Sequence, residues 1–253
     1  MLLSYPSEVA VMVNVQNKWV FVTGASRGLG RLCALFMANR GANLILQART
    51  EEALEGTANQ ARAAGAEVHV FACNLGDDMQ VKDMLSKIDA LGVRVDIVLN
   101  NAGLQVTYRT DYYETPAEDF VESLRVNTIA PALICYHFLP KMIENGFGRI
   151  VNTTSGIALE PQQAAYSASK AALDKITIDL GSTVEGTDVC INLTDPGWCR
   201  TDLGGPQAPN APESALPGLV VGAFIDDGRS GRLFRAQEFA GMSIEEAVAK
   251  AEA

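Results

Sequence analysis

Residues 18–30 read KWVFVTGASRGLG, and the fold turns on them. The first half is a short apolar, β-branched run. The second half places glycines at 24, 28 and 30 and leads into the helix-like stretch 29–39. A strand that ends in a Gly-rich turn and runs straight into a helix opens a β-α unit. Glycines there permit a tight turn and close approach of another group to the backbone, and the helix N-terminus offers free N–H groups to an anion. The same glycines also serve helix-on-strand packing, so the turn alone does not assign a ligand.

Similar apolar runs recur at 43–48, 67–73, 95–101, 148–155, 189–195 and 231–236, and helical patterns fill 29–39, 50–64, 77–90, 116–145 and 164–183. Strands alternating with helices predict an α/β fold: one doubly wound parallel sheet of about seven strands with helices on both faces. The strand runs are nearly continuous in apolar residues, as burial on both faces requires. With 253 residues, 48% of them hydrophobic, the chain suits one large domain. The expected layout is an N-terminal extension at 1–16, poorly ordered, then the domain at 17–245 and a C-terminal tail at 246–253. Met12 is a possible natural start. The Pro-, Gly- and Ala-rich stretch 204–218 reads as a mobile loop, either a lid or a plain connection.

Bulk properties narrow the function. Net charge is −10 and the pI about 4.7, which argues against nucleic acid or an anionic membrane as partner. No apolar run approaches a membrane span of about 20 residues, and the first residues lack a basic signal region, so a cytoplasmic protein is expected. Five scattered cysteines read as reduced core residues, and two isolated histidines make a metal site improbable.

An acidic chain that binds an anion must do so with local cations, and the second strand supplies one. It ends QART, residues 47–50, with Arg49 where a carboxylate would grip a ribose hydroxyl in an NAD site. Arg27 projects from the Gly-rich turn itself. Two guanidiniums there suit a 2′-phosphate and point to NADP(H). Glu51 and Glu52 follow Thr50, a helix N-cap, and fall where the helix dipole favours acids.

Polar residues then gather at predicted strand ends. NNAG stands at 100–103, Asn127 in RVNTIAP, Ser155 at the end of NTTSG, and AYSASK at 165–170 sets Tyr166 and Lys170 one helical turn apart; DPGWCRT fills 195–201. Tyr and Lys four apart are, by themselves, as readily an amphipathic rim. The set TGxxxGxG, NNAG, Asn127, Ser155, YxxxK and PGxxxT, in this order over residues 17–240, resembles the short-chain dehydrogenase/reductase (SDR) family. That resemblance implies a Rossmann-like fold and an oxidoreductase. Tyr166 would be the acid/base, Lys170 its partner, Ser155 the carbonyl anchor, and Asn127 the holder of a relay water. Gly24, Ser26, Arg27, Gly28, Leu29 and Gly30 would meet the cofactor with Arg49, Asn74 and Leu75. Asn101, Ala102, Gly103, Pro196, Gly197, Trp198 and Thr201 would border its nicotinamide half. A homodimer or homotetramer is also implied. In such a site Lys170, together with the positive nicotinamide ring of the oxidised cofactor, is expected to pull the Tyr166 phenol below its ordinary pKa of about 10.

Two features depart from the family. Ser155 precedes Tyr166 by eleven residues rather than twelve or thirteen, and Thr153 stands at thirteen, so Thr153 is the alternative anchor. Asn74 replaces the Asp that commonly borders the adenine. Segments 104–113, 156–163 and 198–216 would line the substrate pocket. Tyr108, Tyr112, Tyr113, Trp198 and Leu203 suggest an apolar or ring-containing carbonyl or alcohol, such as a steroid, bile-acid or aromatic ketone, although tyrosines near a cleft also serve loop packing. A 3-oxoacyl thioester reductase is an alternative, for which Lys141 and Arg149 offer only a thin basic landing for an acidic carrier. A non-catalytic NADP(H)-sensing regulator is another, but it has no need of Tyr166, Lys170, Ser155 and Asn127 together.

Overall fold

The seven apolar runs become seven strands: β1 (Trp19–Val22), β2 (Asn43–Ala48), β3 (Val68–Ala72), β4 (Val95–Asn100), β5 (Gly148–Thr153), β6 (Val189–Asp195) and β7 (Leu233–Arg235). In the computed structural model, which describes residues 12–253, they form one parallel sheet in the order β3-β2-β1-β4-β5-β6-β7. The order reverses between β1 and β4, and ligands of open α/β sheets bind in the crevice beyond the strand ends at such a point. Every residue of β4 is buried, and its two polar residues are bonded: Asp96 accepts from the Trp19 amide at 3.0 Å and Asn100 Nδ2 donates to Asn152 Oδ1 at 2.8 Å.

Helices cover both faces. On one face α1 (Gly28–Ala38) and α7 (Ile244–Glu252) share a core with β1 and β2 through Met37, Leu44, Phe224 and Val248. On the other, α3 (Asp78–Asp89) and α5 (Ala130–Glu144) pack on Phe21, Val98 and Ile150. The remaining helices are α2 (Glu55–Ala63), α4 (Ala117–Leu124) and α6 (Ala164–Ser182). The five cysteines are buried and unpaired, and burial pushes the thiols up, to about 12 at Cys33 and Cys135.

Three expectations are corrected. Residues 246–253 are not a tail. Ser243 and Glu246 form a reciprocal capping box that starts α7, and Ala247 and Val248 are fully buried. The extension at 1–16 is packed in its last part: Val13 and Val15 are buried and the Val13 amide donates to Phe224 O at 2.9 Å. Its residues 1–11, with the question of Met12 as start, lie outside the described residues. The expected helix 116–145 is interrupted by a π-turn at Arg125–Ile129 that carries Asn127.

The stretch read as a mobile loop is tied down over much of its length. Arg200 donates to the carbonyls of Ala208 and Pro209 at 3.1 and 2.7 Å, Ser214 donates to Gln237 Oε1 at 2.9 Å, and Ala208 and Ala215 are buried.

Candidate active site

A cleft of about 680 Å³ opens at the ends of β1, β2 and β4. It collects most of the residues singled out from sequence. Gly24, Ser26, Arg27, Gly28 and Leu29 line it from the Gly-rich turn, and Arg49, Asn74 and Leu75 from the ends of β2 and β3. Asn101, Ala102 and Gly103 line it from the end of β4, Tyr166 and Lys170 from α6, and Pro196 and Thr201 from the segment after β6.

The turn is built to bring backbone close. Gly24 and Gly28 have φ of +66° and +54°, where side chains are strained. A Cβ on Gly30 would lie 2.3 Å from Gly24 O and 2.5 Å from Asn101 Nδ2, so no side chain fits there. Gly30 therefore supports the turn from behind and does not line the cleft. Two residues not assigned a role from sequence fix this arrangement. Thr23 Oγ1 accepts from the amides of Asn101 and Ala102, both at 3.1 Å, which joins the ends of β1 and β4. Gln47, buried in β2, accepts from the Gly24 amide at 3.0 Å and donates to Cys73 O at 2.8 Å. Gln47 stands two residues before Arg49, in a strand otherwise apolar to its end, and that polar break was the available signal. Asn74 Oδ1 accepts from Gly76 N at 3.0 Å, so one of its lone pairs closes a local turn.

The cations sit as the sequence suggested. Arg49 is exposed at the rim, and Arg27 pairs with Asp202, Nη1 to Oδ2 at 2.6 Å. The residues present therefore fit a phosphorylated dinucleotide: a glycine cradle too tight for a side chain, an adjoining helix N-terminus, and two guanidiniums.

Deeper in the cleft, Tyr166 and Lys170 share one face of α6. Lys170 is 3% exposed and donates from Nζ to Thr153 O at 2.8 Å. Burial lowers its ammonium to about 8, which Asp174 on the next turn opposes. The protein's own groups raise the Tyr166 phenol: burial is the main cause, the Ser155 hydroxyl opposes it by hydrogen bonding, and Asp195 adds to it. The expected lowering draws on the positive nicotinamide ring of the bound oxidised cofactor as well as on Lys170.

Of the two anchor candidates, Thr153 lines the cleft and its carbonyl holds Lys170, whereas Ser155 offers the hydroxyl that acts on the phenol. Ser155 also accepts from Ile157 N at 3.3 Å. Asn127 is fully buried behind the cleft. Its Oδ1 accepts from Leu104 N at 2.8 Å, and its Nδ2 donates to Leu104 O at 2.7 Å and Ser169 Oγ at 3.0 Å. Both amide hydrogens are thus committed to the protein. Gly197, at φ +71°, and Trp198 stand beside the cleft rather than in it; the indole is exposed and donates to Gly204 O at 2.7 Å.

Comparison with known proteins agrees with this geometry. A family model described as short chain dehydrogenase matches residues 18–211. An oxidoreductase of Mycobacterium tuberculosis is 35% identical over 221 residues, covering 83% of this chain and 65% of the relative, so the chain spans about two thirds of that relative's length. A 3-oxoacyl-[acyl-carrier-protein] reductase of Thermotoga maritima is 28% identical over 214 residues, covering 84% of this chain and 86% of that protein. Among solved structures, a short chain dehydrogenase from Shigella flexneri complexed with NADP superposes with a TM-score of 0.78 at 26% identity, over 88% of this chain and 99% of that one.

Proposed function

Because the chain belongs to the short-chain dehydrogenase/reductase family, we propose that it interconverts a ketone and a secondary alcohol with NADP(H). When bound, the cofactor supplies or accepts the hydride at the substrate carbon. Gly24, Gly28 and the N-terminus of α1 would hold its pyrophosphate, and Arg27 and Arg49 a 2′-phosphate. Lys170 and Thr201 would border its nicotinamide half.

The observation that carries this reading is the placement of Tyr166 and Lys170 together in the cleft, with Lys170 Nζ 5.9 Å from the Tyr166 ring centre and the Ser155 hydroxyl acting on the phenol. Tyr166 gives its hydroxyl proton to the carbonyl oxygen in reduction and takes it back in oxidation. Burial and Asp195 keep the phenol protonated in the free protein, the form from which it donates. Ser155 donates a hydrogen bond to the same oxygen as charge develops on it. Lys170, with its ammonium weakened by burial, orients the phenol and can pass on the proton that replaces the one lost. Asn127 acts as a positioning residue, since its side chain is spent on Leu104 and Ser169.

Substrate class follows from the rim. Tyr108 and Leu203 line the cleft and Trp198 stands beside it, each more than two-fifths exposed, which supports an apolar or ring-containing ketone. The relatives that are 3-oxoacyl-[acyl-carrier-protein] reductases favour a thioester substrate instead. Against it, the two basic residues available to an acidic carrier are engaged. Arg149 is 0% exposed and bound to Asp188 and Asp226, and Lys141 is bound to Asp89.

The test follows NADPH and NADH absorbance with steroid, aromatic and aliphatic ketones and a 3-oxoacyl thioester, with Tyr166→Phe as control. NADPH consumption with a ring-containing ketone, lost in the variant, is the expected outcome. Turnover confined to the thioester, or a Tyr166→Phe enzyme as active as the parent, overturns the reading.

A further inference from the structure

Arg27 and Asp202 meet across the mouth of the cofactor cleft, and both line it. Arg27 caps the N-terminus of α1 on one lip, and Asp202 belongs to the turn that follows β6 on the other. That turn is braced. Trp198 Nε1 donates to Gly204 O at 2.7 Å, the Gly204 amide to Thr201 Oγ1 at 3.1 Å, and the Gly205 amide to Thr201 O at 2.8 Å. The carboxylate is therefore held by fixed backbone, 2.6 Å from the guanidinium, while both side chains remain about two-thirds exposed.

A carboxylate at this position opposes the rest of the cleft. The groups offered to a polyanion are Arg27, Arg49 and the helix N-terminus, and Asp202 neutralises one of them. A 2′-phosphate that pairs with Arg27 must share the guanidinium with Asp202, whose Oδ2 already takes Nη1 and whose charge opposes the phosphate. A cofactor without that phosphate has no such exchange to make.

We propose that Asp202 is a cofactor-selectivity residue, the resident counter-ion of Arg27 that holds down affinity for NADP(H) relative to NAD(H). The inference rests on the NADP(H) reading of Arg27. It makes the acid after Thr201 a second control on the ratio set by the two arginines.

The experiment measures Kd for NADPH and NADH by cofactor fluorescence and by calorimetry, on the full chain, for wild type, Asp202→Asn, Arg27→Gln and the double variant. Because residues 27 and 202 are exposed, the substitutions leave the core intact. The expected result is NADPH binding about two- to fivefold tighter in Asp202→Asn, the range an exposed ion pair allows, with NADH changed less. The gain should shrink in 0.5 M salt and vanish in the Arg27→Gln background. If Arg27→Gln weakens NADPH selectively while Asp202→Asn leaves it unchanged or weaker, the counter-ion role is overturned and the cofactor reading stands. If Arg27→Gln changes the Kd for NADPH no more than that for NADH, the reading of Arg27 fails and this inference with it.

Discussion

Lys170 should destabilise the fold it serves, and Lys170→Met tests this. The ammonium is 3% exposed and burial lowers its pKa from 10.5 to about 8. Between those values the folded chain binds fewer protons than the unfolded one. The contribution of Lys170 to stability is therefore most favourable above pH 10.5 and is lost as the pH falls through about 8. At about 1.4 kcal/mol per unit, the penalty reaches about 3 kcal/mol at pH 7 and falls to about 1 kcal/mol at pH 10. Methionine removes the charge but leaves Thr153 O without its 2.8 Å donor, a loss of about 1–3 kcal/mol that does not vary with pH. At pH 7 the two effects nearly cancel, so a single measurement decides nothing; their pH dependence separates them. Urea unfolding of both proteins from pH 7 to 10 should show the difference moving toward wild type by about 2–3 kcal/mol. Tyr166, raised in the fold, acts in the opposite sense: its contribution is present below about pH 10 and is lost as the pH rises through its folded value. It is present in both proteins and drops out of the difference apart from its coupling to Lys170. A difference that stays flat to within about 0.5 kcal/mol would show that the buried ammonium carries no such penalty.

Gly30→Ala places a methyl 2.3 Å from Gly24 O, so the turn must shift; about 1–3 kcal/mol of stability should be lost in urea, with weaker cofactor binding by calorimetry. Unchanged unfolding and Kd would refute the packing argument. Ser155→Ala should lower kcat/KM about 10²–10³-fold with either cofactor, as loss of a donor to the developing oxyanion does. Thr153→Val should retain most activity because its carbonyl, not its hydroxyl, holds Lys170. The reverse ranking would make Thr153 the anchor.

The strands were legible because burial on both faces demands largely apolar runs, and β4 shows it: all six residues are buried and four are apolar. The cofactor lip was legible for a related reason: a glycine too crowded for a Cβ leaves a mark in sequence, as Gly30 does. Helix α7 was missed because IEEAVAKAE is charged and short, and its evidence lay one step upstream, in the Ser243 and Glu246 capping pair. The desolvation of Tyr166 and Lys170 was not legible, because a four-residue spacing reports a neighbour but not the solvent removed from both groups. Asp202 could not have been read as a partner of Arg27, since 175 residues separate them and only the fold brings β6 beside the first turn.

Asn127 shows why residues scattered along the chain keep one order. A regular helix through 117–144 would carry side chains past position 125 on a fixed spiral; the π-turn at Arg125–Ile129 inserts extra residue per turn and turns Asn127 into the protein. From there its amide grips both polar groups of the Leu104 backbone and the Ser169 hydroxyl, and Ser169 Oγ donates to Tyr166 O at 2.7 Å. Thr128 adds a bond from Oγ1 to Ser169 O at 2.7 Å. The segment after NNAG, the π-turn and the helix of Tyr166 and Lys170 are thereby one hydrogen-bonded unit. The helix that carries the phenol is thus held by buried polar contacts and not by the exposed loops around it. Loops 104–113 and 156–163 can then vary with the substrate while Tyr166 stays in place, which is how a shortened Ser155-to-Tyr166 interval can coexist with an intact proton donor.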